Sequence, residues 1–121
     1  MKYDIAVERK ATYLQVTGTG ALNEANARRF LVEAYQAALA HKCDSLLLEM
    51  GFSGSMDLGK IYSVIAERST DGAMLKRIAY VDLNPDHLPE APEFAELVAL
   101  NRGVNVRLFR SLAEAERWLQ A

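Results

Sequence analysis

One cysteine, three prolines and one tryptophan are all that 121 residues contain of those types, and the cysteine count excludes the most. With Cys43 alone, no intramolecular disulfide forms and no thiolate-rich metal site is assembled. A charge bias is missing too. Fourteen Lys plus Arg stand against sixteen Asp plus Glu, a formal net charge of −2, so the concentrated basic face that holds nucleic acid is not expected. No apolar run approaches the roughly 18 residues of a membrane span, and the opening Met1-Lys2-Tyr3-Asp4 leads into alternating residues, not into the apolar core of a secretion signal. These absences predict a soluble chain in a reducing cytoplasm, not an integral membrane protein, with no cofactor or metal and no nucleic-acid partner. The length predicts one domain over 1–121, in which half the residues are hydrophobic, enough for a core.

What is present is periodic. Ile5 and Val7 alternate with Asp4, Ala6 and Glu8. After the polar corner Arg9-Lys10, Tyr13 to Thr17 alternates again, which predicts an antiparallel hairpin stopped by Gly18-Thr19-Gly20. Asn23 is placed to cap a helix, whose stripe is Ala27, Phe30, Leu31, Ala34, Tyr35, Ala38 and Leu39. Leu46 to Met50 suits a covered strand. A loop from Gly51 to Met56 then leads to Asp57, a second cap, and a helix carrying Leu58, Ile61, Tyr62 and Ile65. Arg77 to Asp82 is another interior strand, and the prolines of Asn84 to Pro89 deny that stretch regular structure. Pro92 suits a helix start and Gly103 its end. Val104, Val106 and Leu108 alternate, and Ser111 with Glu114 spells a capping box before a helix with Leu112, Ala115, Trp118 and Leu119 inside. The order β-β-α-β-α-β-α-β-α predicts an α/β fold. Its sheet is mixed and mostly parallel, with about five strands and about four helices, and the antiparallel hairpin lies at one edge.

The segment Gly51-Phe52-Ser53-Gly54-Ser55-Met56 follows a predicted parallel strand and precedes a helix, where open α/β sheets bind ligands. Its helix N-terminus offers unpaired N–H groups, and exposed Phe52 and Met56 would bury against a partner. The same residues read equally well as a plain connection folding back into the core. Ser53 sits in an incomplete nucleophile elbow, since Ser55 stands where the last glycine belongs, and His41 or His87 would have to be brought to it. Gly18-Thr19-Gly20 lacks the third glycine of a dinucleotide fingerprint. Asp82 ends a strand near the presumed ligand edge, although a turn-forming role before Leu83-Asn84-Pro85 suits it better.

The strand Leu46 to Met50, the loop and Met56-Asp57-Leu58-Gly59 together resemble a STAS domain of the SpoIIAA-like branch, related to anti-sigma factor antagonists. The ending Phe109 to Leu119 resembles that branch's closing F…EA…WL pattern, and the element order agrees over nearly the whole chain. The resemblance implies a non-enzymatic regulatory module that binds a regulatory protein. In the antagonists a serine directly after that Asp is phosphorylated; here Leu58 stands there and has no hydroxyl to modify. The expected partner surface is Phe52, Ser53, Ser55, Met56, Asp57 and Lys60, and self-association into a homodimer stays open. An alternative is a carrier or sensor of a small apolar or lipid-like ligand, as the related CRAL-TRIO domains suggest, with Tyr62, Ile65, Tyr80 and Phe94 lining its cavity. A second alternative is minor hydrolase activity at Ser53, although no catalytic residue is expected.

Overall fold

The computed structural model describes residues 2–87 and 89–121. Its elements are β1 (Tyr3–Arg9), β2 (Leu14–Ala21), α1 (Glu24–Ala40), β3 (Ser45–Ser53), α2 (Leu58–Ala73), β4 (Arg77–Asp82), α3 (Glu90–Asn101), β5 (Val106–Phe109) and α4 (Leu112–Gln120). The strands form one sheet in chain order, β1-β2-β3-β4-β5. β1 runs antiparallel to β2, and every other pair is parallel. This is the mixed, mostly parallel α/β sheet that the alternation predicts. The proline-bounded stretch before α3 holds neither helix nor strand where it is described, and Leu88 lies outside the described residues. Among the described residues no helix is long and apolar enough to cross a membrane.

Alternation sorts the strands' side chains onto two faces. Leu14, Val16, Leu46, Leu48, Phe52 and Ile78 meet α1, α2 and α3 on one side. Tyr13, Leu47, Ala79 and Val81 meet Ala115 and Leu119 of α4 on the other. A sheet covered on both faces needs near-continuous apolar strands, and Leu46-Leu47-Leu48 supplies the central one. Side-chain caps start three helices: Asn23 accepts from the Asn26 N–H at 2.8 Å, Asp57 from Lys60 at 2.9 Å and Ser111 from Glu114 at 3.3 Å. Gly103, at φ +85°, turns the chain out of α3 in the left-handed region where a Cβ is costly. At the far edge of the sheet Glu96 of α3 accepts the outward Leu108 N–H of β5 at 2.6 Å.

Four expectations are corrected. Gly18-Thr19-Gly20 does not stop the hairpin, because β2 continues through it to Ala21. Gly18 is there for space: a Cβ would stand 2.5 Å from Phe30 and 2.8 Å from Phe52. Leu39 is 81% exposed, since it follows Ala38 by more than a quarter-turn and leaves the buried arc. The capping box is altered on its return side, where the Glu114 carboxylate accepts from the Ser111 hydroxyl at 3.3 Å. Finally, β3 extends past Met50 to Ser53, with consequences for the site.

Candidate functional site

The extension of β3 decides where its side chains go. Gly51, Phe52 and Ser53 pair with Thr19, Gly20 and Ala21 of β2, so the alternation of Leu46, Leu48 and Met50 carries on to Phe52. Phe52 is therefore 1% exposed, edge-on to Phe30 at 5.5 Å and stacked with Tyr3 at 6.3 Å between centroids. The exposed aromatic tip expected at this position does not exist. Met56 is half-buried against the same core. Gly54, at φ +91°, makes the turn that a residue with a Cβ would strain. Ser53, Ser55, Asp57 and Lys60 lie exposed around it.

Behind this corner the first helical layer does not close on the sheet. A cavity of about 630 Å³ lies between α2, α3 and the sheet, within the size range of small-molecule sites. Met50, Ile61, Ile65, Ile78, Tyr80 and Ala95 form part of its wall, together with Tyr35 of α1 and Val104. Its mouth opens at the C-terminal edge of β3 and β4, between the N-termini of α2 and α3, where Ser55, Met56, Leu58, Asp86, His87 and Glu90 meet. Of the four expected cavity residues, Ile65 and Tyr80 line it, whereas Tyr62 and Phe94 do not. Tyr62 is 46% exposed, and its hydroxyl accepts from Arg102 at 2.6 Å on the outer surface of α2 and α3. The buried stripe of α2 is turned toward Ile61, Val64, Ser69 and Gly72, which leaves Tyr62 at its margin. The Tyr80 and Tyr35 hydroxyls have no hydrogen-bond partner among the described residues. Burial raises the pKa of both, Tyr35 to about 12, so they enter the cavity as neutral phenols.

One side chain ties the two loops of the mouth together. The His87 ring places Nδ1 2.7 Å from the Asp82 carboxylate and Nε2 2.6 Å from the Gly54 carbonyl. Both neighbours are acceptors, so only the doubly protonated ring donates to both. Burial of the ring works against its charge. The bonds to Asp82 and Gly54 outweigh that, and the His87 pKa lies above its ordinary value. Asn84 adds a second tie, donating from Nδ2 to the Phe52 carbonyl at 2.9 Å. Asp82 serves both the ring and the turn, since its other oxygen accepts the Asn84 N–H at 3.0 Å. This arrangement leaves Ser53 without a base: its hydroxyl donates to the Gly20 carbonyl at 3.1 Å, and both nitrogens of His87 are engaged elsewhere. His41 is the exposed C-cap of α1.

No family model and no curated protein matches the sequence. Solved structures do match the fold. An uncharacterized protein of the DUF3478 family with a SpoIIAA-like fold, from Shewanella loihica PV-4, is 17% identical. The match covers 97% of this chain and 93% of that one, at a TM-score of 0.57. An anti-sigma factor antagonist from Mycobacterium paratuberculosis is 16% identical over 99% of this chain and 96% of its own, at 0.59. At such identities the likeness establishes the architecture: the chain has a SpoIIAA-like α/β fold.

Proposed function

We propose that this chain is a non-enzymatic binding module that holds one small apolar or lipid-like molecule between α2, α3 and the sheet. A single observation carries the reading. Phe52 and Met56, which in an extended loop would have anchored a partner, turn inward, and a cavity of about 630 Å³ opens beside them at the C-terminal edge of parallel strands. That edge is where α/β sheets place ligands, and mostly apolar walls with a few polar groups at one end are what such sites require. N-phenyl-naphthylamine, which fluoresces in apolar surroundings, is expected to brighten on binding the wild-type chain. Ala95→Trp, which puts an indole into the wall, should weaken that binding at least tenfold while the thermal melt stays sharp. An undiminished signal in Ala95→Trp, or none in the wild type, refutes the reading.

A second reading takes the same module as regulatory, with a protein partner docking beside the mouth, as the likeness to an anti-sigma factor antagonist suggests. It is favoured by the exposed cluster Ser53, Ser55, Asp57 and Lys60, with Met56 half-buried among them. A switch by phosphorylation at the position after Asp57 is not part of it, because Leu58 has no hydroxyl. Ser53→Lys combined with Lys60→Glu, two exposed positions outside the cavity lining, is expected to change the set of proteins cross-linked in cells while probe binding stays intact. An identical set from both chains counts against docking at this corner.

A further inference from the structure

The cavity's charges are one-sided. Asp57, Asp82, Asp86, Glu90 and Glu96 line it against His87, and among the described lining residues there is no lysine or arginine. Two helix N-termini open onto the mouth and bring partial positive charge, roughly half an elementary charge each. Asp57 already caps the first, by its bond to the Lys60 N–H, and Glu90 stands in the first turn of the second. His87 is matched by Asp82 at 2.7 Å. Asp86 then remains at the rim, with the already matched His87 as the only cationic side chain among the described lining residues, and the charge of the mouth is negative. Away from the mouth the wall adds the neutral hydroxyls of Tyr35, Tyr80 and Ser69 and the Glu96 carboxylate, which the Leu108 N–H already holds, so an ionised head group would find no free counter-charge there and would lose its hydration. A bound amphiphile must lie tail inward with its head at the rim, and the rim repels an anion.

Resting on the cavity reading above, we infer that the ligand is an amphiphile whose head is cationic, an amine or quaternary ammonium, and not a fatty-acid carboxylate. The interaction is between a head at the rim and exposed carboxylates in a partly screened setting, so the preference is a matter of about one order of magnitude and weakens with salt.

Dodecylamine, dodecanol and dodecanoate share one tail and differ in head charge at neutral pH. Displacement of N-phenyl-naphthylamine, below the micellar range, ranks them. The amine is expected to bind at least tenfold tighter than the carboxylate, with the alcohol between. Asp86→Asn combined with Glu90→Gln should bring the amine-to-carboxylate ratio close to one, with dodecanol, which carries no charge, reporting any change the substitutions make to the cavity itself. This variant is needed because the whole chain is mildly acidic, at −2. Carboxylate binding equal to or tighter than amine binding overturns the cationic class and leaves the cavity reading standing. An amine preference that survives the double variant also overturns the inference, since the preference then arises away from this rim. If none of the three displaces the probe, the cavity reading fails, and the ligand class with it.

Discussion

A Phe52→Asp chain is expected not to fold. Phe52 is among the largest fully buried side chains, enclosed by Phe30 and Tyr3 and facing the Cβ-free surface of Gly18. Truncating a buried phenylalanine costs about 3–5 kcal/mol through lost burial and the void left behind. An unpaired carboxylate in the same place costs several kcal/mol more. Against a total stability of about 5–15 kcal/mol for an ordinary domain, the sum leaves little or no native population. Far-ultraviolet circular dichroism and thermal melting read the outcome, with Met56→Asp as the contrast, because Met56 is only half-buried and a carboxylate there should cost far less and leave the chain folded. A Phe52→Asp protein that melts within a few degrees of wild type would place this side chain on the surface and undo the argument built on its burial. The same substitution would be a misleading probe of partner binding, since it removes the fold along with the surface.

The second large effect is expected at His87, and it depends on pH. The folded-state pKa of the ring lies above its ordinary 6.5. The stabilisation its charge supplies is therefore complete below that value and is lost as pH rises through the folded-state pKa. Replacing His87 by Ala removes two bonds, one of them to a carboxylate, and leaves Asp82 largely buried at 11% side-chain exposure. A loss of about 2–3 kcal/mol at pH 6 is expected, which is roughly 10 °C in melting temperature for a chain of this size. At alkaline pH the wild type has already lost the charged form, so the gap between the two chains should shrink to about half. An equal gap at both ends of the range would mean that the ring's charge is not what ties the loops.

Much of the architecture was legible because it rests on near neighbours along the chain. Three of the caps and the alternation of strands with helices depend on residues no more than a few positions apart, and Asn23, Asp57 and Ser111 cap as their side chains predict. The end of β3 was not legible in that way. Gly51 beside Ser53 and Gly54 reads as a turn when taken alone, and only its pairing with Thr19 on β2 makes it strand. The clue was the unbroken period of two from Leu46 to Phe52. The tie at the mouth was harder still. Asp82 and His87 lie five residues apart, but the Gly54 carbonyl comes from another loop 33 positions away. Tyr62 was misplaced for a smaller reason: helical spacing gives the width of an apolar stripe, while the neighbouring helix α3 settles which edge of it reaches solvent.

The bond from Glu96 to the outer edge of β5 bears on how molecules of this chain behave when crowded together. A bare outermost strand is a template onto which another molecule adds its own backbone, the first step toward fibres. Here an outward-facing amide is already held by a carboxylate of the same molecule. A newcomer would have to displace it and leave that carboxylate with no partner, so growth of the ribbon from one copy to the next is discouraged on that side.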